Sequence, residues 1–156
     1  MPSDSILLPA SIIRQAMHDI FDRMDVPHEE RRVIVETLME ASLSGYHSHG
    51  IMRVSTYVDG IRLGTMKPGA PLTVLKDSPA TRHLDANFGM GPVTAAAAIR
   101  QATEKAASNG IGDSLAKSGL GRSQLFRQTH GDFLVAVINA SYLPNKVTHG
   151  TLGLLA

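Results

Sequence analysis

The stretch ATRHLDANFGMGPVTAAAAIRQATEKAASNGIGDSLA, residues 80–116, decides the fold. Ala80 to Asp85 has the pattern of a short strand, bounded by Pro79 before it and Gly89 after it. Pro92 then opens a helix at the first helical position, where a missing N–H does no harm. Thr94 to Ser108 is rich in alanine, which suits close packing of a helix against a sheet. Asn109-Gly110 predicts a left-handed helix cap, and Ile111 to Ala116 reads as a second strand. Gly89-Met90-Gly91 follows a strand and opens a helix, as a dinucleotide fingerprint does. The third glycine is absent, because Thr94 stands in its place, and no acidic residue follows at the proper distance. A tight turn before a packed helix explains the two glycines better, although the helix start at Pro92 to Thr94 has the character to hold an anion.

Downstream, Gly119 to Arg122 reads as a turn. Phe133 to Asn139 is a nearly continuous apolar run, the signature of a strand buried on both faces. Pro144 to Ala156 has no regular pattern and stops on Leu-Leu-Ala, which predicts a chain cut within a domain. Upstream, Leu72 to Lys76 is a further short strand. Before Gly69 the periodicity is helical. Residues 10–25 form an amphipathic helix with Ser11 as cap and an apolar stripe of Ile12, Ile13, Ala16, Met17, Ile20, Phe21 and Met24. Val26-Pro27 breaks it. A second helix spans His28 to Leu43, with Glu29 and Glu30 in the first turn and Ile34, Leu38 and Ala41 as its stripe. Gly45 stops it. A third begins near Ser48 or His49 and runs to Leu63, burying Ile51, Val54, Tyr57, Val58 and Ile61. The expected fold is α+β: a three-helix segment over residues 1–69, then an incomplete mixed β-sheet flanked by helices over residues 70–156. It is not a conventional Rossmann fold.

Composition narrows the function. A chain of 156 residues is long enough to bury about 70% of its unfolded surface. A formal net charge of +1 gives no electrostatic case for nucleic acid or an anionic membrane. There is no cysteine, hence no disulfide frame or thiolate nucleophile. No apolar stretch approaches the ~18 residues of a membrane helix, and the first nine residues do not resemble a secretory leader. A cytoplasmic protein is the expectation. His83, His130 and His149 lack ligand spacing, and His47 with His49 would need further ligands, so no metal is expected.

The chemistry gathers at Ser44 to Arg53, Ser-Gly-Tyr-His-Ser-His-Gly-Ile-Met-Arg, at the junction of the second and third helices. Imidazole passes protons near neutral pH, and an arginine nearby can fork two hydrogen bonds onto a carboxylate. A proton shuttle beside a carboxylate clamp is what a small hydroxy or keto acid needs. Gly119-Leu120-Gly121-Arg122 is glycine-rich and basic; such a loop is able to touch a phosphate, but a plain loop with one solvated arginine accounts for it better.

Ser48-His49-Gly50-Ile51-Met52-Arg53 resembles the malate/L-lactate dehydrogenases of the non-Rossmann type. The likeness continues through Tyr57 to Gly64, Pro68, Pro79-Ala80-Thr81, Leu84-Asp85, Gly89 to Gly91 and Ala102 to Gly112. The resemblance implies His49 as the acid/base and Ser48 as its companion in catalysis. It implies Arg53, with Tyr57, as substrate-binding residues facing a 2-keto or 2-hydroxy acid. Ser118, Gly119 and Arg122 are the implied cofactor-binding residues for NAD or NADP, which makes residues 70–156 part of a cofactor-binding domain. A homodimer is also implied. Two departures stand out: His47 replaces the aspartate usual before Ser48, and a histidine expected in Ser-Gly-His-Leu-Gly-Arg is missing from Ser118 to Arg122. Family members are roughly twice this long, so the expectation is the first half of such an enzyme. The alternative is a non-catalytic remnant or interaction module.

Overall fold

The computed structural model describes residues 7–118, 122–129, 135–138 and 152–153, with side chains described through Lys117. The chain divides into two compact units, Met1–Gly69 and Ala70–Ala156.

Among the described residues, three α-helices and a short 3-10 turn build the first unit. Helix α1 spans Ala10–Asp22, shorter than the expected 10–25. Backbone geometry ends it before Val26-Pro27 can. Asp25 adopts a left-handed φ of 56°; its N–H donates to the Asp22 carbonyl at 3.0 Å and that of Val26 to Phe21 at 3.1 Å. This pair of bonds satisfies the last carbonyls of the helix, and both Phe21 and Val26 are buried. Ser11 caps nothing: the residue before the helix is Pro9, whose carbonyl accepts the Ile12 amide at 3.0 Å. Met17 and Phe21 are buried, whereas Ile12 and Ile20 of the expected stripe are exposed.

Helix α2 spans His28–Leu43, the bounds its sequence predicts, with Ile34, Val35, Leu38 and Met39 buried. Val35 and Met39 widen the stripe beyond the expected positions. Helix α3 spans Arg53–Arg62 and so begins after the Ser48 or His49 expected. Gly50, with φ −97° and ψ −142°, is outside helical geometry and delays the start. Ile51, Val54, Tyr57, Val58 and Ile61 are half-buried, and the buried residue of α3 is Gly60. A Cβ at Gly60 would lie 2.9 Å from Met66 Cγ, so that side chain fills the space above the glycine.

Among the described residues, the second unit is a mixed sheet with one helix packed on it. Strands β1 (Thr73–Asp77), β2 (Thr81–Asp85), β3 (Ile111–Ser118), β4 (Arg122–Thr129), β5 (Val135–Ile138) and β6 (Leu152–Gly153) lie side by side in chain order. Helix α4, Gly91–Asn109, joins β2 to β3, which pair in parallel. The remaining pairs are antiparallel. Among the described residues, a single crossover among antiparallel pairs is not the repeated parallel winding of a Rossmann sheet. Some strand bounds differ from expectation. β1 is shifted by one residue, β3 runs on to Ser118, and Arg122, expected within a turn, opens β4. β5 lies inside the expected 133–139, whose ends fall outside the described residues. The patternless last stretch contains β6.

Alanine explains how α4 meets the sheet. Thr94, Ala98, Ala102 and Ala106 form its buried face. Leu84, Ala98 and Ala116 make the core there, with Leu72, Ala95 and Ile99 around them. A Cβ on Gly112 of β3 would lie 2.0 Å from the Ala102 carbonyl oxygen and 2.6 Å from the Ala106 nitrogen. Helix and strand backbones therefore approach closer than any side chain allows. Gly110 ends α4 with a left-handed φ of 78°. No helix of the described residues is long and apolar enough to cross a membrane.

Candidate active site

The end of α2 places the histidine segment. Gly45, at φ 82°, lets the chain reverse. The Tyr46 amide donates back to the Ala41 carbonyl at 2.8 Å and the Gly45 amide to Ser42 at 3.2 Å, the same closing pattern as at α1. His47–His49 then forms one 3-10 turn. The His49 amide donates to the Tyr46 carbonyl at 2.9 Å, the Gly50 amide to His47 at 3.2 Å and the Arg53 amide to Gly50 at 2.9 Å. His47, Ser48 and His49 are exposed, while Gly50 is buried. The sequence reading put His49 and Arg53 on one continuous helix; a 3-10 turn and a break at Gly50 separate them instead.

Ser48 Oγ and His49 Nδ1 are 3.0 Å apart. The direction of that hydrogen bond follows the imidazole tautomer. When Nδ1–H donates to the serine, Nε2 becomes the nitrogen that takes up and releases the proton. Arg53 and Tyr57 stand one turn apart on α3, both half-buried. The Tyr57 ring packs at 6.3 Å between centroids, tilted by 49°, against Phe21 of α1. Burial pushes its phenol above the ordinary value, and the charge of Arg53 pulls it partly back. The body of Tyr57 is thus a packing contact, and its hydroxyl lies within the field of the guanidinium.

One contributor left no signal in the sequence. Ser42, in the last turn of α2, accepts the Ile51 amide on its hydroxyl at 2.8 Å. A serine near a helix end is common enough that only the structure picks it out.

Ser118 and Arg122 are paired in register where β3 meets β4; Gly119 lies outside the described residues. Ser48, His49, Arg53 and Tyr57 belong to the first unit, Ser118 and Arg122 to the second. Gly89 is explained by its own turn: its amide donates to the Ala86 carbonyl at 2.6 Å, and a Cβ there would lie 2.8 Å from the same oxygen. Among the described residues no group of three or more histidine or carboxylate side chains is placed to hold a metal ion.

The sequence profile of the malate/L-lactate dehydrogenase family matches residues 8–118. L-sulfolactate dehydrogenase of Methanocaldococcus jannaschii is 33% identical over 94 residues, 60% of this chain and 27% of that protein. Malate dehydrogenase of Pyrococcus horikoshii is 30% identical over 99 residues, 64% of this chain and 28% of that one. The solved structure of the Pyrococcus horikoshii malate dehydrogenase superposes with a TM-score of 0.70 at 29% identity, over 73% of this chain and 33% of that chain. The solved sulfolactate dehydrogenase of Methanocaldococcus jannaschii superposes with a TM-score of 0.71 over 85% of this chain and 51% of that one, a likeness of fold at 20% identity. The chain spans under a third of the length of these curated relatives.

Proposed function

The chain belongs to the malate/L-lactate dehydrogenase family, and we propose that it serves the transfer of a hydride between a nicotinamide nucleotide and a small 2-hydroxy or 2-keto acid. The observation that carries this reading is the Ser48 Oγ–His49 Nδ1 contact at 3.0 Å on an exposed turn just before Arg53. As a keto carbon is reduced, negative charge grows on its oxygen, and a proton from His49 Nε2 neutralises it. Ser48 holds the other ring nitrogen, so that one atom does the exchange. Arg53 receives the substrate carboxylate through its fork of N–H groups. In the reverse direction His49 accepts the hydroxyl proton.

Dehydrogenases of this family generally use a nicotinamide cofactor, NAD or NADP, and that group supplies the hydride. The donor set of Ser118, Gly119 and Arg122 has the chemistry to meet its phosphates: a hydroxyl, a glycine backbone amide and a guanidinium. A homodimer belongs to the same proposal, supported by apolar side chains exposed beside the turn, Leu43 at 70%, Tyr46 at 62% and Met52 at 71%. A cytoplasmic setting fits a chain without cysteine.

The test is oxidation of NADH or NADPH, followed by absorbance, with oxaloacetate, pyruvate and sulfopyruvate as acceptors. Turnover is expected with at least one of them, and His49→Gln should lower kcat about 10²–10⁴-fold. A second reading, an interaction module without activity, is favoured by Leu120 standing in a segment where the family pattern has a histidine. Absence of both turnover and nicotinamide binding by calorimetry would leave that second reading in place of the first.

A further inference from the structure

The turn that carries His49 is pinned at both ends to the last turn of α2. On the incoming side the Tyr46 amide donates to the Ala41 carbonyl at 2.8 Å. On the outgoing side the Ile51 amide donates to the Ser42 hydroxyl at 2.8 Å. Gly50 stands between the turn and that second bond, and it is buried although its neighbours in the turn are exposed. A Cβ on Gly50 would lie 1.9 Å from Ser42 Oγ and 3.0 Å from Ser42 Cα. The hydroxyl therefore occupies the space that any side chain at position 50 would need. Glycine at 50 and serine at 42 form one device: the bare backbone lets the turn settle on the helix, and the hydroxyl locks it there.

A three-residue 3-10 turn has poor internal hydrogen-bond geometry, and the side chains of His47, Ser48 and His49 add little burial. Its orientation depends on what holds its ends. We propose that Ser42 is a positioning residue for His49: its hydroxyl, seated against Gly50, fixes the backbone leaving the turn so that the imidazole keeps its contact with Ser48 and exchanges protons at Nε2. Ser42 touches no reacting atom. The inference rests on the proposed role of His49 as the acid/base.

The experiment uses the full chain labelled with ¹⁵N, reading amide hydrogen exchange at Ile51 and the ring-nitrogen signals of His49, alongside turnover. Ser42→Ala removes the acceptor, and Ser42→Thr keeps it. In Ser42→Ala the Ile51 amide should exchange at least about tenfold faster, in line with the loss of one hydrogen bond. The His49 ring signals should shift toward those of a solvent-exposed histidine as its contact with Ser48 loosens. With a turned-over acid, kcat should fall while KM changes little, and Ser42→Thr should restore amide exchange, ring signals and kcat alike. Ring signals of His49 that stay as in the unsubstituted chain in Ser42→Ala overturn the inference, even if the melting temperature drops, because that result is mere structural support. Lack of turnover by the unsubstituted chain counts against the dehydrogenase reading alone, since the ring signals are read without substrate.

Discussion

At the scale of single residues, the glycines of this chain mark where backbones meet. Gly112 is the sharpest case, because the Ala102 carbonyl oxygen lies 2.0 Å from where its Cβ would be. No rotamer relieves that clash, since the obstacle is helix backbone; α4 must move off β3. Gly112→Ala should therefore destabilise the second unit by at least about 3 kcal/mol, the upper range for overpacking, measured as a lowered urea midpoint. A change within about 0.5 kcal/mol would show that helix and strand are not in that contact. The residues proposed for catalysis were legible in the sequence by type and number, and their local backbone was not. Imidazole, hydroxyl and guanidinium announce proton transfer and carboxylate binding wherever they stand. The break at Gly50 that takes His49 out of α3 was not legible, because Ser48 to Arg62 has helical periodicity throughout. Ser42 was invisible for a related reason: its partner is a backbone amide nine residues on, and backbone amides leave no trace in composition.

At the scale of elements, β1, β2 and α4 are tied by one charged cluster. Arg82 donates to both oxygens of Asp77, Nη2 to Oδ2 at 2.7 Å and Nε to Oδ1 at 3.1 Å. Lys105 Nζ lies 2.6 Å from Asp77 Oδ1 and also donates to the Ser78 carbonyl at 2.5 Å. The Arg82 guanidinium first, then the Lys105 ammonium, hold the Asp77 carboxyl well below the usual carboxylate range. A lowered folded pKa means the unfolded chain binds the proton more readily, so stability from this cluster is fully present above the unfolded value of about 3.9 and is lost as pH falls below it. Acid titration of Asp77→Asn should accordingly show a shallower loss of melting temperature below about pH 4 than the unsubstituted chain. An unchanged slope would assign the acid sensitivity elsewhere; Asp85, lowered mainly by Lys117, is the other carboxyl of the sheet that acts in the same sense. The helices were easier to read than the strands because their stops are local. Pro27 and Gly45 bracket α2, and Gly110 ends α4, each by its own backbone restriction. β4 gave little signal: Arg122 to Thr129 contains two apolar residues, and its pairing is set by β3, which no local pattern encodes. The end of α1 was missed by the same logic, since a left-handed aspartate at 25 does the work usually left to glycine.

At the scale of the whole chain, the turn proposed for acid/base exchange and its arginine lie in Met1–Gly69, and the serine and arginine proposed for the nucleotide lie in Ala70–Ala156. The α+β class was legible because helical and strand periodicities change over at Gly69, and the family was legible because its motifs fall in order from residue 10 to 112. After residue 118, where the family match ends, periodicity supplied the strand around Val135–Ile138 and missed β4 and β6. Binding of an organic acid at the His49 turn can be measured without turnover. The ¹⁵N-labelled chain is titrated with oxaloacetate, with and without the nicotinamide nucleotide, and amide and ring signals are followed. Saturable shifts are expected, largest at Ser48, His49 and Arg53. Saturable shifts confined to other residues, or none at millimolar acid with the nucleotide present, would contradict binding at the turn.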